Sequence, residues 1–222
     1  MNLKNGRVKF GFLSLLMAVF CIWVYAAHST NSQSEDKILE KGKDYDPPVK
    51  ITLVKSKIGV IETDRKLSAG DDWLKGLMVR VRNDSDKPVT SVIIYIQFRR
   101  PENQARELDL VASIPYGQNP FAPPEESSQV PAEPIFPGQT KDISLPDQAY
   151  DSLRSELDRL NYPANIKAVK IQVRTIGFID GTAWSAGQIF RRDPNKPDKW
   201  IGERPSRSSV KKRYAVSQSR IH

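Results

Sequence analysis

Eighteen uncharged residues, Phe10 to Ala27, read FGFLSLLMAVFCIWVYAA and follow three cations, Lys4, Arg7 and Lys9. A basic flank, an apolar run and a small-residue end mark an export signal or a membrane anchor, and the basic flank stays in the cytoplasm. Everything after His28 is then expected to be extracytoplasmic. The same run holds Cys21, the one cysteine of the chain. The exported part therefore has no thiol, which excludes disulfides, cysteine nucleophiles and cysteine metal ligands together. Whatever folds there, about 150 residues, must be held by its apolar core alone.

The run is longer than a usual signal core of about 7–15 residues and falls within the range of about 17–25 for a membrane span. Val24-Tyr25-Ala26 would serve as a cleavage site, but Trp23 and Tyr25 make the region bulky. An N-terminal membrane helix that stays attached is favoured slightly over cleavage near Ala26. Phe20 stands before Cys21 where lipidation needs a small residue, so Cys21 reads as one more apolar side chain. Charge is concentrated at the two ends. The first nine residues carry +3, residues 191–222 carry ten basic against three acidic residues, and the stretch between is at −2, within a total of +8. The basic balance thus belongs to the ends and not to the folded part, and in an exported chain it does not point to nucleic acid.

Residues 28–48 are polar and poor in aromatics and read as a spacer. The domain is expected over 49–201. VKITLVK at 49–55 alternates like a first strand, Ile58–Ile61 is a weaker apolar patch, and 64–72 is polar around Gly70. Leu77, Val79 and Val81 alternate with Met78, Arg80 and Arg82. The turn cluster Asn83–Pro88 follows, then VTSVIIYIQF at 89–98, apolar on both faces as a central strand is. The pattern predicts a hairpin over 77–98. Residues 108–114 and 140–145 are further strands. Between them, 115–137 holds seven of the sixteen prolines and reads as a surface loop. The spacing of Tyr150, Leu153, Leu157 and Leu160 predicts one helix over 147–160, capped by Ser144, entered at Pro146 and stopped at Asn161 and Pro163. In 166–179 the apolar positions run Val169, Ile171, Val173 and then shift phase to Ile176 and Phe178, the mark of a β-bulge. Asp180-Gly181 predicts a two-residue hairpin turn with Thr182–Phe190 as its return strand. Residues 202–222 read as a basic, disordered tail.

About seven strands with one inserted helix point to a mainly β chain, a two-sheet β-sandwich of immunoglobulin or fibronectin type III character without the antibody disulfide. Phe178-Ile179-Asp180-Gly181-Thr182-Ala183-Trp184-Ser185-Ala186-Gly187, followed by Arg191-Arg192-Asp193-Pro194-Asn195, resembles the last hairpin of uncharacterised exported bacterial proteins with such a sandwich. The resemblance covers roughly residues 75–200 and implies a fold, not an activity.

Chemistry is scarce. Ala183-Trp184-Ser185-Ala186-Gly187 resembles a nucleophile elbow, but it sits on a hairpin, and the only histidines are His28 and His222. Asp71-Asp72 and Asp84 with Asp86 could in principle ligate calcium, but neither has the alternation of an EF-hand loop, and turn and capping chemistry is the favoured account of them. A pair of carboxylates meeting in space would be invisible in sequence. No enzyme activity, cofactor or metal is expected. Trp73 and Trp200 flank strands and are the candidates for stacking on a sugar. Arg204, Arg207, Lys211, Lys212 and Arg213 could tether the tail to an anionic polymer or lipid surface. The sequence is thus read as an exported, non-enzymatic interaction or structural module of the cell envelope, in contact with the membrane through its N-terminal segment. Its partner is expected to be a protein, reached through a strand edge or the proline-rich loop. A carbohydrate-binding module and a hydrolase with a hidden carboxylate pair are the alternatives. An exposed coplanar Trp pair would mark the first, and two carboxylates roughly 5–9 Å apart in a cleft the second.

Overall fold

VTSVIIYIQF is apolar on both faces because it lies in the middle of a sheet, and the architecture builds outward from it. The computed structural model describes residues 35–42, 45–99, 109–123 and 132–203. Among these, twelve strands and one helix follow in order: β1 (Glu35–Lys41), β2 (Val49–Ser56), β3 (Gly59–Val60), β4 (Lys66–Ala69), β5 (Met78–Asn83), β6 (Val89–Phe98), β7 (Leu110–Tyr116), β8 (Thr140–Ser144), α1 (Asp147–Arg159), β9 (Ala168–Phe178), β10 (Ala183–Ser185), β11 (Gln188–Asp193) and β12 (Lys196–Glu203). The chain is mainly β, in two sheets with one helix, as a sandwich requires, with more strands than the seven expected. The apolar run Phe10–Ala27 lies outside the described residues, and among those described no helix is long and apolar enough to cross a membrane.

The larger sheet has eight strands. β6 pairs antiparallel with β7 on one side and with β9 on the other. The far edge of β9 is shared: β1 runs parallel to its first residues, Ala168–Ile171, and β10 runs antiparallel to Thr175–Gly177. β4 extends the β1 side, and β11 and β12 extend the β10 side. The smaller sheet is ordered β3-β2-β5-β8. Between the sheets, Val92, Ile94, Ile96, Val169, Ile171 and Ile176 meet Val49, Val54, Val79, Val81 and Ile143 in one core. Among the described residues that core runs from Leu39 to Trp184.

Three expectations are corrected here. The spacer does not run to 48, because Glu35–Lys41 form β1 inside the larger sheet, with Leu39 fully buried. The segment 77–98 is not a hairpin: β5 belongs to the smaller sheet and β6 to the larger, so the chain crosses between sheets at 84–88. Asn83 holds that crossing. It is fully buried, donates from Nδ2 to the carbonyls of Lys87 and Ile135 at 2.8 Å, and accepts at Oδ1 from the amide and hydroxyl of Ser85. A strand, β4, also occupies part of the polar segment 64–72.

The phase shift in β9 is a bulge at the expected place. Ile93 faces Thr175 and Ile94 faces Val173, which leaves Arg174 as the extra residue. α1 matches its expected span to one residue. Its N-terminus has Pro146 with no side-chain cap, since Ser144 ends β8 instead, and Asn161 stops the helix at φ 55°. Tyr150 and Leu157 are buried against the core, and the Tyr150 hydroxyl donates to Asp72 at 3.0 Å. Leu157→Ala should therefore cost about 2–5 kcal/mol in a denaturant melt; a loss below about 0.5 kcal/mol would mean that α1 does not dock.

Lys37 runs against the pattern. Its side chain is fully buried on β1, its Nζ has no hydrogen-bond partner, and the nearest carboxylate is Asp71 at 3.7 Å, itself half exposed. A desolvated ammonium with so little return is a cost to the fold. Lys37→Met should raise stability by about 1–3 kcal/mol, whereas Asp71→Asn, which removes the counter-charge, should lower it. Thermal melts of the two variants moving in the same direction would contradict this account.

Candidate functional site

The end of β9 and the last three strands build the most developed concave surface carrying a sequence-predicted site residue. β9 turns into β10 through Ile179-Asp180-Gly181. The Gly181 amide donates to the Phe178 carbonyl, the Phe178 amide donates to the Thr182 carbonyl, and Gly181 has φ 78°. The loop thus has three residues with glycine in the left-handed position, not the two-residue turn read from Asp180-Gly181. Two-residue geometry appears one hairpin later, at Ala186 and Gly187, both at positive φ (48° and 88°). That turn splits the single return strand expected over 182–190 into β10 and β11.

Asp180 locks the first turn. Its Oδ1 accepts from the Thr182 amide at 3.0 Å and hydroxyl at 2.6 Å, and its Oδ2 accepts from Lys87 Nζ at 2.6 Å. Burial opposes its charge, but the hydrogen bonds from Lys87 and Thr182 outweigh burial and hold the carboxyl at about 2. A carboxyl whose folded pKa is depressed adds stability above its ordinary value, 3.8, and loses it as pH falls through about 2. Asp180→Asn should therefore melt lower than the parent at pH 7, with the difference shrinking between about pH 4 and pH 2. A difference independent of pH would remove the ion pair from the explanation.

On one face of this ribbon the cross-strand partners Ser91, Gly177, Ala183, Phe190 and Gly202 fall in a row, because facing residues share a side. Four of the five are small, so the floor is low. A Cβ on Gly177 would run into the Ser91 hydroxyl. Phe121, from the loop after β7, stands edge-on to Phe190 (5.5 Å between centroids, 89°) and to Trp200 (4.8 Å, 61°). The Arg192 guanidinium lies 4.8 Å over the Trp200 ring and donates to the Pro120 carbonyl at 3.3 Å. The result is a groove of 430 Å³ bordered by Pro120, Pro134, Phe178, Thr182, Arg192 and Trp200, with no carboxylate among the described residues that line it.

The predicted site residues separate. Trp200 is half-buried in β12 at the groove. Trp73 is 1% exposed, donates from Nε1 to the Ile166 carbonyl at 2.9 Å, and is not available to stack on a ligand. Trp184 is buried as well. A coplanar exposed Trp pair is therefore not formed. Arg204, Arg207, Lys211, Lys212 and Arg213 lie outside the described residues, as do His28 and His222. The Ser185 hydroxyl donates to the Arg174 carbonyl at 3.3 Å, at the bulge of β9, so its bond is structural. Asp72 receives the Tyr150 hydroxyl, and Asp84 is gripped by the Arg82 guanidinium. Among the described residues no group of three or more His, Cys, Asp or Glu could hold a metal. Glu40 and Asp109 do line one cavity together, but it has 20 Å³, room for about one water, and they are held by Arg99 and Gln97. Phe121, Phe190 and Arg192 escaped the sequence reading, although their stacking partner Trp200 did not. With this geometry in place, comparison with known protein families, curated proteins and solved structures finds no match to the chain.

Proposed function

We propose that the chain is an exported, non-enzymatic binding module of the cell envelope, held at the membrane by Phe10–Ala27, with an immunoglobulin- or fibronectin-like sandwich as its scaffold. The groove beside Trp200 is its recognition surface. The observation that carries this reading is the 430 Å³ groove lined by Arg192 and Trp200, with Phe121 and Phe190 packed behind them. Aromatic and arginine side chains at a concave surface are the usual anchors of protein recognition. Among the described residues that line the groove there is no nucleophile–base pair and no carboxylate pair. The preferred partner is an extended protein segment, since among the described residues β12 is the last strand of its sheet and its Trp200 lines the groove.

A glycan is the second reading, favoured by the half-exposed indole among Thr90, Gln118 and Asn119. Against it stand the single tryptophan and the guanidinium already stacked on its ring. Binding of residues 29–222 to an isolated envelope fraction, across a salt series, tests both. Trp200→Ala and Arg192→Ala should each weaken binding at least ten-fold with the fold intact. Protease treatment of the fraction should abolish it. Competition by soluble envelope sugars with resistance to protease would replace the protein partner by a glycan. Binding unaffected by either substitution but lost on truncation at residue 203 would assign attachment to the basic tail instead.

A further inference from the structure

β1 is held in the sandwich by little. It has two buried side chains, and one of them is Lys37, whose Nζ has no hydrogen-bond partner and meets only the half-exposed Asp71, at 3.7 Å. Its two ladders barely overlap. Glu35–Ile38 pair with β4 and Ile38–Lys41 pair with β9, so among the described residues Ile38 alone has a strand neighbour on both sides. β1 also precedes every other described element, and it withdraws without threading a loop. The connection to β2 is under strain. Asp46 has φ 53° and stands directly before Pro47, where a residue with a side chain is driven towards extended backbone. Its ion pair with Lys50, at 2.7 Å, is solvent-exposed on the Asp46 side and offsets little of that strain.

An extended passage from β1 into Pro47-Pro48 removes the strain at Asp46 but carries β1 away from its own sheet. The place it vacates is the edge of β9 from Ala168 to Ile171, the edge of β4 and the slot for Leu39. That place is complementary to one sequence, EDKILEK, and a second copy of the chain supplies it. We propose that two copies exchange β1, each laying its strand between β4 and β9 of the other. Every ladder bond of β1 is remade in the dimer, and both Asp46 residues relax. The two residues act on different quantities. Lys37 is equally buried in the closed monomer and the exchanged dimer, so it sets how readily β1 opens and not where the equilibrium lies. Asp46 is strained in the closed form alone, so it sets the equilibrium. The exchange does not depend on the function assigned to the Trp200 groove.

The test uses the full chain in detergent with Cys21→Ser, which leaves no native thiol. Asp36→Cys with Ser68→Cys then puts two thiols on facing, exposed residues of β1 and β4. Monomer and dimer are separated by size, oxidised and run on a denaturing gel. The monomer should close its disulfide within one chain and the dimer between two. Glu40→Cys with Lys170→Cys, across β1 and β9, is the second pair should the first not fold. Asp46→Gly takes a positive φ without strain, whereas Asp46→Asn loses the same ion pair and keeps its Cβ. The glycine variant should therefore have a dimerisation constant about ten-fold below that of the asparagine variant. Lys37→Met should slow the conversion of monomer to dimer about ten-fold and leave the constant unchanged. No dimer up to the solubility limit, a dimer whose disulfides all close within single chains, equal dimerisation of the two Asp46 variants, or conversion of Lys37→Met at the parent rate would each overturn the proposal.

Discussion

β9 has one free edge and two claimants. β6 occupies its other side along nearly the whole strand, so β1 and β10 must divide what remains. A continuous partner would have sealed the sheet, whereas among the described residues the two short ones leave an opening at Gln172–Arg174. The bulge at Arg174 sits in that opening and increases the local twist. Its carbonyl is picked up by Ser185, which ties the C-terminal ribbon to the bulge. The start of the β10–β12 ribbon, with the groove built on it, is a consequence of this division. The residue that looked most like a nucleophile turns out to be part of the joint.

The polar side chains that matter most do mechanical work at crossings and turns. Asn83 uses both of its donors and its acceptor to hold the passage between sheets, and Asp180 does the same for the hairpin that starts the ribbon. Each sits where the backbone must leave a ladder and would otherwise bury unpaired groups. Lys37 is the exception, a buried ammonium whose return is one distant carboxylate. β1 is held by its ladder bonds to β4 and β9 and by Leu39 in spite of it, which makes β1 the least consistent element of the sheet.

Elements whose side chains alternate cleanly were legible in the sequence: β2, β5, β6, β8, β9 with its bulge, and α1 to within a residue. β1 was hidden because Lys37 occupies one of its inward positions, so EDKILEK shows no apolar period. β12 was hidden because KPDKWIGE carries the charges and proline that an edge strand tolerates. The mistaken hairpin over 77–98 has a different cause. Turn chemistry at Asn83–Pro88 is local, but whether two strands stay in one sheet is decided by what else their edges must pair with, here β2 and β8 for β5, and β7 and β9 for β6. The tryptophans show the same limit. Trp73 and Trp200 have equivalent sequence surroundings, strand-flanking and polar, yet a carbonyl across the fold, at Ile166, takes one indole inside while an arginine two-dimensionally adjacent on β11 keeps the other at the surface.

The stacking of Arg192 on Trp200 also bears on what the groove can recognise. A bare indole accepts any flat apolar face, including a sugar. With a guanidinium over it, and with that guanidinium held to the Pro120 carbonyl, the aromatic surface is partly covered and a fixed positive charge is added at the rim. Planar cations of this kind favour carboxylates and backbone carbonyls. With the guanidinium covering part of the indole, stacking by a sugar is restricted, and the proposed protein segment would meet the groove through backbone and apolar contacts instead.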